Sequence, residues 1–160
     1  MNWGLIRIDD RLIHGQVIAV WCKTKKFTRI AIIDDMVAAD SFMQQVLKLA
    51  APAGIQVEAF SVADGIKVLA QVQSPETTMV LMKTPLTAKR LFEGGFNYTE
   101  LNIGGIGGGP GRKNVFKNTA LSDEEFGILK DLTAKGVKIT FLSVPGEKSK
   151  EFTELMNERK

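Results

Sequence analysis

Residues 9–14, Asp9-Asp10-Arg11-Leu12-Ile13-His14, gather two carboxylates, a guanidinium and the only imidazole of the chain. A neutral imidazole nitrogen is a nucleophile near neutral pH. The planar fork of Arg11 matches the oxygens of a phosphate. Asp9 or Asp10 can accept a hydrogen bond from one imidazole nitrogen and leave the other free to attack; either can instead hold Arg11. Gly15 lets the backbone approach an anion closely, and Gln16 adds a neutral donor. A helix beginning near His14 would aim its free N–H groups at the same place. This is the equipment of phosphoryl transfer, which asks a protein for positioning and charge stabilisation. By residue type alone, a capping or surface histidine beside a solvated Asp-Asp-Arg turn is the competing reading.

The elements that must position these residues follow from the apolar pattern. Residues 3–8, 29–33, 55–60, 77–82, 100–103 and 137–142 read as strands. Helical spacing marks residues 14–25, 38–50, 61–70, 87–92 and 122–135, with a terminal helix over 148–159. In the second of these, Phe42, Val46, Leu47 and Ala50 share the face expected to be buried. Ser122 and Glu125 form a capping box, and Gly136 closes that helix. Residues 104–111 read as a mobile glycine-rich loop, and 113–120 as extended and partly polar. The alternation implies an α/β fold, one domain over residues 1–160, with a doubly wound, mainly parallel sheet and helices on both faces. Ligands of such sheets lie beyond the carboxyl ends of the strands, where strand order reverses. The loop holding His14 follows the first strand.

In the order 3-2-1-4-5, strands one and four flank that point. Lys83 and Thr84 follow the fourth strand, so Thr84 can donate to a phosphate and Lys83 can add charge. A helix cap at Thr84 with a solvent-facing Lys83 is the plainer reading. The glycine-rich loop is neither a Walker A motif nor a dinucleotide fingerprint. Arg112 and Lys113 at its end read as solvated, or as contacts for an acidic partner. Trp21 reads as core or an interface anchor, and Met79 and Met82 read as core.

Composition narrows the classes. An excess of three positive charges over 160 residues is too small to indicate nucleic acid. A single cysteine excludes an intrachain disulfide, and no Cys/His cluster suggests zinc. No apolar window is long enough to cross a membrane, and no signal segment is visible, so an intracellular soluble protein is expected.

The run Ile6-Arg7-Ile8-Asp9-Asp10-Arg11-Leu12-Ile13-His14-Gly15-Gln16-Val17 closely resembles the active-site motif of the mannose-type IIB components of bacterial sugar phosphotransferase systems, the mannose–fructose–sorbose group. Asp34-Asp35-Met36-Val37-Ala38-Ala39-Asp40, Ala50-Ala51-Pro52-Ala53-Gly54, Leu91-Phe92-Glu93-Gly94-Gly95, Leu101-Asn102-Ile103-Gly104-Gly105, Ser122-Asp123-Glu124-Glu125 and Lys135-Gly136-Val137 resemble later landmarks of that family. The family often carries bulkier, polar residues after the paired glycines, where this chain has glycine.

The resemblance implies that His14 takes a phosphoryl group, at Nδ1, from a phosphohistidine on a IIA component. His14 then passes it to a sugar held by the membrane IIC/IID components. It also implies that Arg11 binds the phosphate and that Asp9 is the loop carboxylate. No metal or other cofactor is called for. The chain would work in the cytoplasm, at the inner face of the membrane through IIC/IID. The sugar and the oligomeric state, a homodimer included, stay open. The rival function is an α/β module that binds phosphate or a nucleotide without a covalent step.

Overall fold

The computed structural model describes residues 2–158. From the N-terminus the chain forms β1 (Leu5–Asp9), α1 (Gly15–Thr24), β2 (Arg29–Ile33), α2 (Asp35–Ala38), α3 (Ser41–Ala50), β3 (Gln56–Phe60) and α4 (Val62–Leu69). It continues through β4 (Thr78–Met82), α5 (Pro85–Glu93), β5 (Glu100–Gly105), β6 (Lys113–Phe116), β7 (Thr119–Leu121), α6 (Asp123–Ala134), β8 (Lys138–Phe141), β9 (Lys150–Glu151) and α7 (Phe152–Glu158). The main sheet has seven strands in the order β3-β2-β4-β1-β5-β8-β9, all parallel except β9. The α/β, doubly wound expectation therefore holds.

Alternation along the strands sorts the sheet into two cores. Ile6 and Ile8 of β1, Ala31 and Ile33 of β2, and Val80 and Met82 of β4 pack with residues of α4, α5, α6 and α7. On the opposite face Ile30, Ile32, Met79 and Leu81 pack with Ile18 and Trp21 of α1, Val37 of α2 and Leu47 of α3. Met79, Met82 and Trp21 are thus core, as their setting in the sequence suggests.

The strand order differs from 3-2-1-4-5. β4 lies between β2 and β1, so the crossovers from β1 to β2 and from β4 to β5 each pass over one strand. All five residues of β4 are buried, which suits a central strand covered on both faces. No local pattern encodes which strand will be its neighbour. β1 and β4 are nonetheless adjacent, and their connections leave toward opposite faces, which keeps the reversal point beside β1.

Other departures have local causes. Of the helix expected over 38–50, residues 41–50 form α3 and Ala38 ends the separate α2, because Asp34 and Asp40 each cap a new start by accepting from the N–H of Val37 and of Met43. Phe42 and Val46 are not core: Leu47 is the buried residue of α3. Residues 113–120 fold back as the β6–β7 pair, with Lys117 at φ 44° in the turn. In the terminal segment, β9 pairs antiparallel with β8 before α7 begins at Phe152. Arg159, the expected end of that helix, lies outside the described residues. The capping box of α6 forms as expected, with Ser122 and Glu125 bonding reciprocally.

Candidate functional site

β1 ends in charge. Arg7 and Asp9 are two apart on one strand and therefore share a face, the one covered by α1. Arg7 is fully buried and Asp9 is 1% exposed. Arg7 donates from Nη2 to Asp9 Oδ2 at 2.9 Å, and from Nη1 to Asn102 Oδ1 at 2.6 Å and the Leu142 carbonyl at 3.2 Å. Its guanidinium lies 5.5 Å from the Trp21 ring centre. Asp9 also receives Arg11 as a fork, with Nε to Oδ1 at 2.9 Å and Nη2 to Oδ2 at 2.7 Å, and accepts from the Arg11 backbone N–H. One carboxylate thus joins a buried arginine to one that is 38% exposed.

Two cations around one anion leave a net positive charge at the surface end of the triad. Burial alone would raise the Asp9 carboxyl, but the hydrogen bonds from Arg11 and the charge of Arg7 outweigh it and hold it below the ordinary range. The bond to Asp9 raises Arg11 against its partial burial. Burial draws Arg7 downward, with Asp9 opposing, and the high intrinsic basicity of the group keeps it charged.

The backbone makes room for this cluster. Between Ile8 and Asp9 the register with β5 shifts, so Ile103 and Gly105 are the partners and Gly104 is the extra residue. A Cβ on Gly104 would overlap the Arg7 guanidinium. The chain then turns, Leu12 N–H donating to the Asp9 carbonyl at 2.8 Å. Leu12 sits at φ 57°, a left-handed conformation costing a non-glycine residue about 1–2 kcal/mol. Its side chain is buried with Ile13 beneath α1, which offsets that cost.

The turn delivers His14 to the N-cap of α1. Its backbone is extended and its carbonyl accepts from Ile18, but its side chain caps nothing. The imidazole is exposed and makes no hydrogen bond to the described residues. The N–H groups of Gly15, Gln16 and Val17 precede the first intrahelical bond, and the first turn of α1 carries no carboxylate.

The carboxylates divide their work. Asp9 holds arginines, not the imidazole. Asp10 accepts from the Gly107 N–H at 2.7 Å, while its own N–H donates to the Gly105 carbonyl. Arg112 donates to the Gly107 carbonyl and grips Glu125 through Nε and Nη2, both at 2.9 Å. The glycine-rich segment is therefore held at Gly107 from both sides, and its first two residues belong to β5. Arg112 pairs with Glu125 within the chain and keeps 24% of its side chain exposed.

Thr84 is the N-cap of α5, accepting from the Thr87 N–H at 3.3 Å, which is the plainer of its two readings. Lys83 is half-buried and follows Met82, the register partner of Ile8, so it stands level with the end of β1. Among the described residues, no three His, Cys, Asp or Glu side chains come together as metal ligands, and no helix is long and apolar enough to cross a membrane. Arg7, Asn102 and Gly104 were not singled out as site residues by sequence. The available signal was an arginine inside an apolar strand, two residues from an aspartate.

A family model described as the PTS system sorbose subfamily IIB component matches residues 3–160. The chain is similar to the sorbose-specific EIIB component of Klebsiella pneumoniae, at 34% identity over 99% of this chain and 97% of that protein. It is 33% identical to the mannose-specific EIIAB component of Escherichia coli K12 over 96% of its own residues, and it spans 48% of that relative's length. Among solved structures, the IIBSor domain of the sorbose permease from Klebsiella pneumoniae superposes with a TM-score of 0.90 at 33% identity, covering 100% of this chain and 99% of that one.

Proposed function

Because the chain belongs to the sorbose subfamily of phosphotransferase-system IIB components, we propose that it carries a phosphoryl group on His14 between a phosphorylated IIA donor and a sugar. The observation that carries this reading is an exposed imidazole, without a hydrogen bond to the described residues, at a helix N-terminus three residues from Arg11, the exposed end of a triad with a spare positive charge. The whole chain, residues 1–160, serves as one IIB domain.

In the first step a ring nitrogen of His14, Nδ1 by family resemblance, attacks the phosphorus of the donor phosphohistidine. The N–P bond of the donor breaks, its imidazole leaves with a proton, and His14 gives up its own ring proton. In the second step a sugar hydroxyl attacks, and its proton ends on the His14 imidazole. Arg11 reaches the travelling oxygens with Nη1, which makes no hydrogen bond within the described chain. The free N–H groups of Gly15 and Gln16 add to that cradle. Asp9 keeps Arg11 in place, and Lys83 adds charge from the end of β4. Thr84 contributes its position at that edge; its hydroxyl is engaged by Thr87.

The reaction class is a protein-phosphohistidine–sugar phosphotransferase. The acceptor is a hexose of the mannose, fructose, sorbose or N-acetylgalactosamine kind, presented by membrane IIC/IID components at the cytoplasmic face. The test is incubation with phosphoenolpyruvate, the general phosphocarrier proteins and a mannose-type IIA. Acid-labile, alkali-stable phosphate should appear on the chain and be absent from His14→Ala. Labelling that survives the substitution removes His14 from the reaction.

A further inference from the structure

The paired glycines at the end of β5 have separate tasks. Gly104 makes room for the Arg7 guanidinium. Gly105 faces two other nitrogens: a Cβ there would stand 2.9 Å from Asn118 Nδ2 and 3.6 Å from Arg11 Nη2. The missing side chain leaves a space between the partly exposed guanidinium of Arg11 and a side-chain amide from the turn that joins β6 to β7. Two donors whose separation cannot exceed the sum of those distances are close enough to hold one phosphoryl group, because each N–H···O bond spans roughly 2.9 Å.

Asn118 is exposed, and the chain around it fixes its place. Lys117 turns the backbone at φ 44°, with its carbonyl accepting from Asn114 Nδ2. The Asn118 carbonyl accepts from the Ile106 N–H at 3.2 Å, and Thr119 bridges to Ile106. The side chain then donates from Nδ2 to the Gly104 carbonyl at 3.0 Å. A primary amide nitrogen carries two hydrogens, so one serves Gly104 and the other has no acceptor among the described residues. The carboxylates of the reactive loop do not compete for it, because Asp9 accepts from Arg7 and Arg11, and Asp10 from the Gly107 N–H.

We propose that Asn118 donates from Nδ2 to an oxygen of the phosphoryl group as it passes to and from His14, across the space that Gly105 leaves beside Arg11. The proposal rests on the phosphocarrier reading. The transferring group spreads its charge over three equatorial oxygens. Arg11 and the N–H groups of Gly15 and Gln16 meet it from the reactive loop and α1, and Asn118 adds a donor from a third element. The amide gives a hydrogen bond and keeps its proton. Being neutral, it holds the phosphohistidine less tightly than a second arginine would, which suits a carrier that must release its load. Gly104 and the turn already hold the amide, so little reorganisation is needed when the group arrives.

The test uses the isotope-labelled full chain with phosphoenolpyruvate, the general phosphocarrier proteins and a mannose-type IIA. The side-chain amide resonances of Asn118 should shift when His14 is phosphorylated, while those of Asn97, before the opposite end of β5, should not. Asn118→Ala should slow labelling at saturating phospho-IIA by about 10- to 100-fold, at or below the loss of an enclosed oxyanion donor, with the KM for phospho-IIA unchanged. Asn118→Asp keeps the shape but turns the donor into an anion, and it should be slower still. A merely structural amide would lose its Gly104 bond alike in both variants, so equal rates would overturn the proposal. So would an amide that does not shift on phosphorylation, or an Asn118→Ala that is labelled at the unsubstituted rate. A raised KM with turnover retained would place Asn118 in the contact with IIA and overturn it as well. Absence of label on the unsubstituted chain would refute the phosphocarrier reading instead. Titration with inorganic phosphate, read on the same amide, would then decide the cradle: a shift that Arg11→Ala abolishes supports it, and no shift overturns it.

Discussion

Arg7 and Asp9 form a buried pair whose removal one partner at a time should differ sharply from removal together. Arg7→Met keeps the apolar stem against Trp21 but strips a counter-charge from a carboxylate that is 1% exposed. Asp9→Asn leaves the Arg7 guanidinium buried without an anion and turns an amide toward the donors of Arg11. Breaking a buried pair by one partner costs about 3–5 kcal/mol. Removing both charges takes away the unpaired ion in each case, and the half-exposed Arg11 can return to water. The double variant should therefore cost about as much as one single variant, a coupling of about 3–5 kcal/mol, where independent sites add within ~0.5 kcal/mol. Urea unfolding at pH 7, followed by tryptophan fluorescence, measures all three variants. Additivity within that margin would refute the argument that these two charges are energetically one unit. The same pair predicts an acid limb. Asp9 is held below its ordinary value of 3.8 in the fold. Its contribution is complete above that value and disappears as pH falls through the lower folded one. Asp9→Asn should flatten this part of the stability profile, and an unchanged slope would place the acid sensitivity elsewhere.

Arg11→Ala should leave the fold intact and slow phosphoryl transfer by about 100- to 1,000-fold, the loss expected for one oriented donor, as read by rapid-quench labelling; unaltered rates would remove Arg11 from the site. Gly104→Ala places a methyl on the Arg7 guanidinium and should destabilise by about 1–3 kcal/mol, as overpacking does; an unchanged melting temperature would show that Arg7 can shift freely. Asp10→Ala releases the Gly107 amide, so hydrogen exchange there should accelerate while that of β5 does not. Unchanged protection at Gly107 would mean that Arg112 alone holds the loop.

Much of the site was local in sequence and could be read there. Asp9, Arg11 and His14 lie within six residues, and the structure keeps them within one turn and the start of α1. Periodicity placed six of the strands and most of the helices, because alternation and helical spacing reflect which side chains meet the two cores. The capping box of α6 likewise needs only residues three apart.

What those patterns left open was decided between distant segments. Asn102 meets Arg7 across 95 residues of chain, and the Gly107 N–H meets Asp10 across 97. α3 has an amphipathic pattern that predicts a buried Phe42, yet helix placement over the sheet turns that face to solvent. An apolar stripe states that a face prefers to be covered and not what will cover it. Sequence alone therefore determined the fold class and the loop that gathers Asp9, Arg11 and His14, through interactions a few residues apart. The order of the strands, the role of Arg7 and the exposed face of α3 belong to the tertiary structure, because each depends on which remote surfaces come into contact.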